Sequence, residues 1–584
     1  MRGGVFTREQ TIQWGLGLIL ALTIVLSGYG MMADLPDTRL GIERLHIQLA
    51  LKYGSGDLNP HFFIHPPLLS YLLFALYGVA FLMGRATGLF PSVADFERLY
   101  FTDPTLFYVI GRTLILLAAA GSVVLFARIG RRLFGPTTAM IAAALLACTP
   151  ELVKWAHYAL PTVLMLFLFL ASFSYVVRML EGGRWRDYVA AGLLGGLATA
   201  AKYDGALILV PFVVAHALAP RDPTARSRWR DRRFLVGLAC LGIAFLAAAP
   251  YTVLDTQGFL NGWALLKRNV VDAHRTIPGW RIDKPGWLFI WTDALPFGWT
   301  LPVTLIGLVG IVDALRRRGK VEWLLLSGFI AAFGVISRWQ AINPRYFLQV
   351  FPLVTLLGVR SLVELVEWVP VRATWRRAFL GGAAALLLAW PLWECVAFDR
   401  QVAQPSLPQV AKAWIEATVP AGASLATTIT DFGLTPSAAS VMRNLEEVER
   451  KRLGEAVRLR RLLQHVGEAP LTYDVRILPA MTMDTYDEDD FDFERQVAEG
   501  VQYVVLHQDV EQYRAEPQTY HAELRYVADV QQHCQLVREF RGPRFPLERP
   551  MIATEEYVQI YRYREAAAQP APLALMRREG QDAP

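Results

Sequence analysis

Twelve apolar stretches in the first 398 residues constrain this chain more than any other feature. They run over 12–32, 66–83, 106–126, 137–150, 161–180, 188–201, 203–219, 234–250, 299–312, 321–337, 344–366 and 378–398. A helix needs about twenty such residues to cross a bilayer, and in lipid every backbone amide must be paired internally. The stretches therefore predict a polytopic bundle of membrane-crossing α-helices. Composition agrees: 54% of residues are apolar and 19% charged, against roughly a quarter charged in soluble proteins. The 44 Gly show no period, and 31 Phe, 21 Tyr and 16 Trp are available for packing, which excludes collagenous and disordered chains. Four Cys exclude a disulfide scaffold, and no disulfide or metal-ligand spacing is visible.

The net charge of +6 comes mostly from Arg: only eight of the 58 basic residues are Lys. These Arg cluster between apolar segments, which argues for the positive-inside rule rather than for nucleic acid. The loops 181–187, 221–233, 316–320 and 372–377 are the cytoplasmic markers. No small-residue cleavage site ends the first apolar run, so it reads as an uncleaved span. With these assignments 33–65 and 251–298 are outside loops and 85–105 lies inside. The stretch 137–150 is short and reads as a re-entrant or buried segment, which leaves about eleven spans. One conflict stands: Arg128, Arg131 and Arg132 look cytoplasmic but fall where this scheme has no cytoplasmic loop. Residues 1–398 form the transmembrane domain. Residues 399–584 turn polar and read as a soluble α/β domain outside the membrane, with a helix at 407–419, strands at 424–429, 501–506 and 557–563, and a charged helix at 446–463. The acidic run 484–494 lacks calcium-loop spacing and reads as a solvated loop.

Candidate chemistry gathers outside. The first loop holds Asp34, Asp37, Glu43 and Asp57, ahead of and around a helix suited to lie flat on the membrane. Carboxylates at the start of such a helix sit at its positive dipole end, where Asp37 or Glu43 could serve as a general base; Asp37 and Thr38 are equally typical of a helix cap. His61 and His65 flank an apolar tripeptide before Pro66-Pro67; they suit a metal, a lipid phosphate or interfacial packing. Tyr158 lies in KWAHYALPT. Lys202, Tyr203 and Asp204 are pinned between two apolar segments, a costly place for charge and by default a functional one. Lys267, Arg268, Arg275, Arg281 and Lys284 run against the positive-inside trend and would suit an anionic head group. Arg345 and Tyr346 open a span from the outside, where an Arg can clamp phosphate or snorkel.

Four motifs in order, GSGDLNPHFFIHPPLLSYL, HYALP, GLLGGLATAAKY and NPRYFLQVFPLVTLL, resemble the dolichyl-phosphate-mannose protein mannosyltransferase and aminoarabinose lipid A transferase group, which are GT-C type membrane glycosyltransferases. The resemblance spans about residues 1–400, and AWIEATVPAGASLA is similar to the start of the soluble domain of bacterial members. It implies a GT-C-like fold in the bacterial inner membrane, with the site on the outer side. A polyprenyl-phosphate sugar would be the donor. A first-loop carboxylate would deprotonate an unspecified lipid, glycan or protein acceptor, which attacks with inversion, and basic residues would hold the lipid phosphate. The family's Asp-Glu pair falls on Ile42-Glu43, so Glu43 matches the Glu, and Asp37 fills the Asp role if the loop has shifted. Thr162 stands where the family carries a further Asp. No motif calls for a cofactor, and a divalent cation stays open. The rival expectation is a non-enzymatic protein: a transporter, or a degenerate member that binds membrane lipid or assembles an envelope complex.

Overall fold

The computed structural model describes residues 8–220, 227–272, 282–370, 372–429, 432–450, 460, 462–463, 472–478, 487–507, 513–514, 517–542 and 557–564. Arg275, Arg281, residues 221–226 of the basic loop and most of 446–463 lie outside them. The chain divides into two compact units at Pro405–Ser406.

The first unit is helical. Its elements are α1 (Arg8–Gly28), α2 (Gly41–Lys52), α3 (Leu68–Ala86), α4 (Val93–Thr102), α5 (Thr105–Phe134), α6 (Pro136–Ala147), α7 (Pro150–Ala156), α8 (Pro161–Leu180) and α9 (Trp185–Ala201). A 3₁₀ turn, Tyr203–Ile208, leads into α10 (Leu209–Leu218), then α11 (Arg232–Ala248), α12 (Tyr251–Leu254), α13 (Thr256–Leu266), α14 (Gly286–Phe289) and α15 (Leu295–Trp299). The unit closes with α16 (Leu301–Arg317), α17 (Lys320–Ile336), α18 (Phe351–Trp368) and α19 (Ala373–Val402).

Among the described residues, the helices beginning at Leu68, Thr105, Pro161 and Ala373 are long and apolar enough to cross a membrane, and α6 with α7 qualifies together despite a 53° bend. Helices α9, α11, α16 and α17 have 17 residues each, at the short end of the spanning range. Large apolar side chains such as Leu117, Ile243, Leu305 and Leu386 point outward from the bundle, as lipid-facing residues do. The protein is a multi-pass membrane protein.

The path of the first third differs from the sequence expectation. Near the start of α5, Arg112 donates to the Met31 carbonyl just beyond α1. Gly28 of α1 faces Leu116 of α5, and at the other end Arg131 pairs with Glu9 at 3.0 Å. The two helices are antiparallel, so residues 29–104 leave and return at one face. Such a segment crosses an even number of times, and α4, with ten residues, is too short to bring α3 back. Helix α3 is therefore no net crossing, and 85–105 shares the side of the first loop instead of lying inside. Apolar content does not distinguish a spanning helix from one that buries its face on protein: Leu69, Leu73 and Tyr77 of α3 are buried, and Tyr77 donates to the Phe107 carbonyl at 3.1 Å. The conflict over Arg128, Arg131 and Arg132 disappears, since α5 ends on the side of the N-terminus and Arg132 pairs with Glu181. From there α6 and α7 run back to His157, whose Nε2 meets the Tyr29 carbonyl at 2.9 Å. The stretch read as re-entrant is a broken crossing.

Glycines set how closely the helices approach. A Cβ on Gly192 of α9 would lie 2.1 Å from the Gly237 carbonyl oxygen of α11, and one on Gly196 would lie 2.3 Å from that of Leu241. This is small-xxx-small packing, in which backbones touch.

The second unit holds a five-stranded sheet in the order β2-β1-β3-β5-β4, formed by β1 (Ser424–Thr427), β2 (Asp474–Ile477), β3 (Tyr503–His507), β4 (Cys534–Arg541) and β5 (Tyr557–Tyr563). β1 pairs in parallel with β2 and β3, while β5 runs antiparallel to β3 and β4. Alternation along β3 sends Val504 and Leu506 to one core and Tyr503 and Val505 to the other. Helix α20 (Leu407–Thr418) covers the second core through Ala411 and Ile415, and His521–His533 covers the first through Tyr526 and Val530. The described part of the acidic run is used in local capping: Asp487 accepts from the Asp489 amide and Asp492 from that of Arg495.

Gly196→Ala should lower stability by about 1–3 kcal/mol through overpacking. Gly242→Ala on α11, with open space at its Cβ, should be neutral or gain up to about 1 kcal/mol. Denaturant unfolding in detergent tests the pair; equal effects would remove the close-approach argument.

Candidate active site

Two clusters form at the same end of the first unit. The first is built on Arg112, which is 1% exposed inside an apolar helix. Its Nε and Nη2 donate to Glu43 at 2.9 and 2.7 Å. Its Nη1 and Nη2 donate to Asp34 at 2.7 and 3.3 Å, and Nη1 also reaches the Met31 carbonyl. All five guanidinium N–H groups are used. Glu43, in the first turn of α2, accepts two further bonds, from the Ala159 amide at 2.7 Å and the Thr38 hydroxyl at 2.6 Å. The rings of Tyr108 and Tyr158 lie 5.7 and 5.5 Å from the Arg112 guanidinium carbon. Tyr158 thus belongs to this cluster, where burial pushes its hydroxyl above its ordinary range.

Glu43 is fully buried, and both its oxygens are engaged twice. Asp37 has different surroundings: it is partly exposed on a bend whose flanks are held. Asp34 accepts from the Arg39 amide at 3.2 Å as well as from Arg112, Thr38 bonds Glu43, and the Arg39 side chain donates to the Val402 and Gln404 carbonyls at the end of α19.

The second cluster is cationic. Lys202, which ends α9, pairs with Asp204 and places Nζ 5.1 Å from the Tyr346 ring. The turn Pro344–Phe347, capped by Asn343, places Arg345 4.8 Å from the Trp155 ring and 5.7 Å from that of Tyr346. Lys154 lies 5.1 Å from the same Trp155 ring. Burial pulls the Lys202 ammonium down, with Asp204 opposing and Arg345 adding to the shift. His65 feels both Lys202 and Arg345; burial and these cations, with His46, hold it well below its ordinary range. His46 of α2, one turn from Glu43, reaches His65 with 3.2 Å between Nε2 and Nδ1. Burial lowers His46 to about 4.

The remaining candidates lie around these clusters. His61 bonds Asp57 at 2.9 Å. Asp57 is held below its usual range: partial burial works against this, but the Asn59 amide, His61 and Lys52 prevail. Asn59 donates to Asp255 at 2.8 Å, and Asp255 caps α13, so the first and fourth loops are tied. Tyr203 donates to the Phe63 carbonyl at 3.0 Å and packs on Trp263. Lys267 is 68% exposed and pairs with Asp272 within its own loop, where Arg268 contacts Asn269. Among the described residues, no group of three or more His, Cys, Asp or Glu converges as a metal site.

Arg112, His46 and Lys154 escaped the sequence reading. An Arg inside an apolar span was a legible signal, since such charges are rare and functional by default. His46 carried a weaker one, its i,i+3 spacing from Glu43.

Residues 109–252 match the sequence model of the dolichyl-phosphate-mannose-protein mannosyltransferase family. ArnT from Cupriavidus metallidurans in the apo state superposes with a TM-score of 0.51 at 15% identity, covering 96% of this chain and 99% of that one. The chain is GT-C type in fold. ArnT bound to undecaprenyl phosphate gives 0.50 at 15% identity, over 97% and 100%. The Archaeoglobus fulgidus oligosaccharyltransferase gives 0.49 at 13%, over 91% and 72%. No curated protein matches the sequence. The match of family model and fold agrees with the GT-C resemblance read from the motifs.

Removing Arg112 from this GT-C fold would leave two buried carboxylates facing each other. Arg112→Gln should destabilise the protein by about 3–5 kcal/mol. Arg317→Gln, at the partly exposed pairs with Asp313 and Glu364, should cost about 1 kcal/mol or less. Comparable losses in denaturant unfolding would show that Arg112 has no special weight.

Proposed function

We propose that this protein is an integral membrane glycosyltransferase. It moves a hexosyl or pentosyl unit from a polyprenyl-phosphate donor to an extracytoplasmic lipid, glycan or protein acceptor, with inversion. On this reading the chain makes eleven crossings (α1, α5, α6 with α7, α8, α9, α10 with its 3₁₀ turn, α11, α16, α17, α18 and α19), and the basic loops assign the N-terminus to the cytoplasm. The site and the C-terminal domain then lie outside the bacterial inner membrane.

The observation that carries this reading is the gathering of Lys202, Arg345 and His65 beside a carboxylate-bearing loop. Arg and Lys bind phosphate through charge-assisted hydrogen bonds, strongest where water is scarce. Undecaprenyl phosphate bound to ArnT, a protein of the same fold, supports a polyprenyl phosphate in this role. Asp37 is the general base. It takes the acceptor's hydroxyl proton as the oxygen attacks the anomeric carbon and the sugar–phosphate bond breaks, its electron pair staying on the phosphate. Glu43 positions this loop through Arg112 and Thr38. Lys202 and Arg345 hold the phosphate, with Tyr203 and Tyr346 framing them, and Lys267 and Arg268 of the fourth loop are assigned to drawing in the anionic head group.

One observation favours a second reading, a catalytically silent lipid-binding member: Glu43 is committed to Arg112, and Thr162 stands where the resemblance expects an acid. Lipid and glycan profiling of a strain lacking the protein identifies sugar and acceptor, after which the readings separate. On the enzyme reading, Asp37→Asn lowers transfer about 10²–10⁴-fold, the usual weight of a general base, with polyprenyl-phosphate affinity little changed. Lys202→Ala and Arg345→Ala each weaken that affinity about tenfold or more. Full transfer by Asp37→Asn would overturn the base assignment. Lipid binding by the wild type with no transfer would establish the second reading.

A further inference from the structure

The pair His46–His65 has no part in the chemistry above, yet it adjoins the phosphate cluster. The rings are nearly parallel, with centroids 5.3 Å apart and 7° between their planes. A contact of 3.2 Å between two ring nitrogens requires one to donate and the other to accept. His46 is 2% exposed, while His65 is partly exposed, with Phe62 edge-on at 6.0 Å. The charged or titratable groups facing His65 are His46 from α2, Lys202 at the end of α9 and Arg345 from the 344–347 turn. The acids nearest the pair are already committed, Glu43, one turn from His46 on α2, to Arg112 and Asp204 to Lys202, so the anion that lets either ring hold a proton comes from a ligand.

We propose that the His46–His65 pair takes up a proton when the lipid phosphate gains its second negative charge, and holds the product as a dianion against an imidazolium. The proposal rests on the polyprenyl-phosphate reading. A polyprenyl-phosphate sugar is a diester with one charge; breaking its sugar–phosphate bond leaves a monoester with two. The acceptor proton goes to Asp37 and then to solvent, and one proton from solvent enters at His65, so protons and charge balance over the turnover. Before transfer the pair is neutral beside two cations. Afterwards the added charge next to it favours His65 as imidazolium, and His46 shares the proton through the ring–ring hydrogen bond.

The test is calorimetric titration of the full chain in lipid nanodiscs with a short-chain polyprenyl phosphate at pH 8, in two buffers of different ionisation enthalpy. The wild type should take up close to one proton per lipid bound, and its affinity should fall about tenfold per pH unit above that range, the slope of one linked proton. His65→Asn and His46→Asn should each bring proton uptake near zero and flatten that slope. Lys202→Ala should weaken binding while leaving uptake near one. A polyprenyl methyl phosphodiester, limited to one charge, should bind with no uptake. Undiminished uptake in both His variants sinks the proposal and leaves the donor reading intact. Failure of the wild type to bind either lipid sinks the donor reading itself. An unaltered unfolding midpoint in each variant excludes misfolding as the cause of a lost signal.

Discussion

One guanidinium holds together the end of this bundle at which α1 finishes and α5 begins. Arg112 lies in an apolar helix where a lone charge would be expelled, and it is retained because Asp34, Glu43 and the Met31 carbonyl accept all five of its N–H groups. The cluster joins three places: the chain leaving α1, the first turn of α2 and the body of α5, which carries Arg112 itself. Ala159, just before α8, adds a fourth through Glu43. Buried ionic groups of this kind stabilise only when every donor and acceptor is met, and here they are. The cluster thereby fixes where a loop that is itself short of apolar anchors must run.

That loop carries Asp37, the base of the proposed reaction. Asp34 and Thr38 are each locked to the Arg112 cluster, and Arg39 reaches the last carbonyls of α19. The three residues between Asp34 and Thr38 have little freedom, so Asp37 is presented in one position without itself being buried. Positioning by a rigid surround is what general-base catalysis needs, because a displacement of about 1 Å is enough to lose a large factor in rate. Glu43 would be a poor base for the reason that it is a good anchor: each oxygen already accepts two hydrogen bonds.

Apolar periodicity revealed the helices, and the polar change after residue 398 revealed a second unit. Its strands at 424–427, 503–507 and 557–563 fall within or close to the expected stretches. The role of α3 was not legible, because burial on protein and burial in lipid select the same residues; only the return of α5 to the end of α1 separates them. The cations were legible singly, since each violated a trend, and Lys202 and Arg345 do meet. What the sequence could not show was partnership. Glu43 matched a position that the resemblance expects to be acidic yet turned inward, while Arg112, conspicuous as a charge in an apolar run, gave no sign of which residues it would meet. Charge pairing across 69 and 78 residues leaves no local pattern to read.

The two clusters are joined by helix α2, which carries Glu43 and His46 one turn apart on neighbouring faces. Glu43 ties α2 to the Arg112 cluster and so to the loop bearing Asp37, while His46 ties it to His65 and so to Lys202 and Arg345. The proposed base and the proposed phosphate cluster therefore share one rigid element, although they come from distant parts of the chain. A reaction that creates charge at the phosphate while removing a proton at the acceptor needs those two events held at fixed separation. A short helix anchored in its first turn by a complete ion cluster and one turn further on by a ring–ring hydrogen bond supplies that separation without a flexible link. It also explains why the carboxylate at the family's acidic position can serve as structure here: its load is the placement of everything that α2 carries.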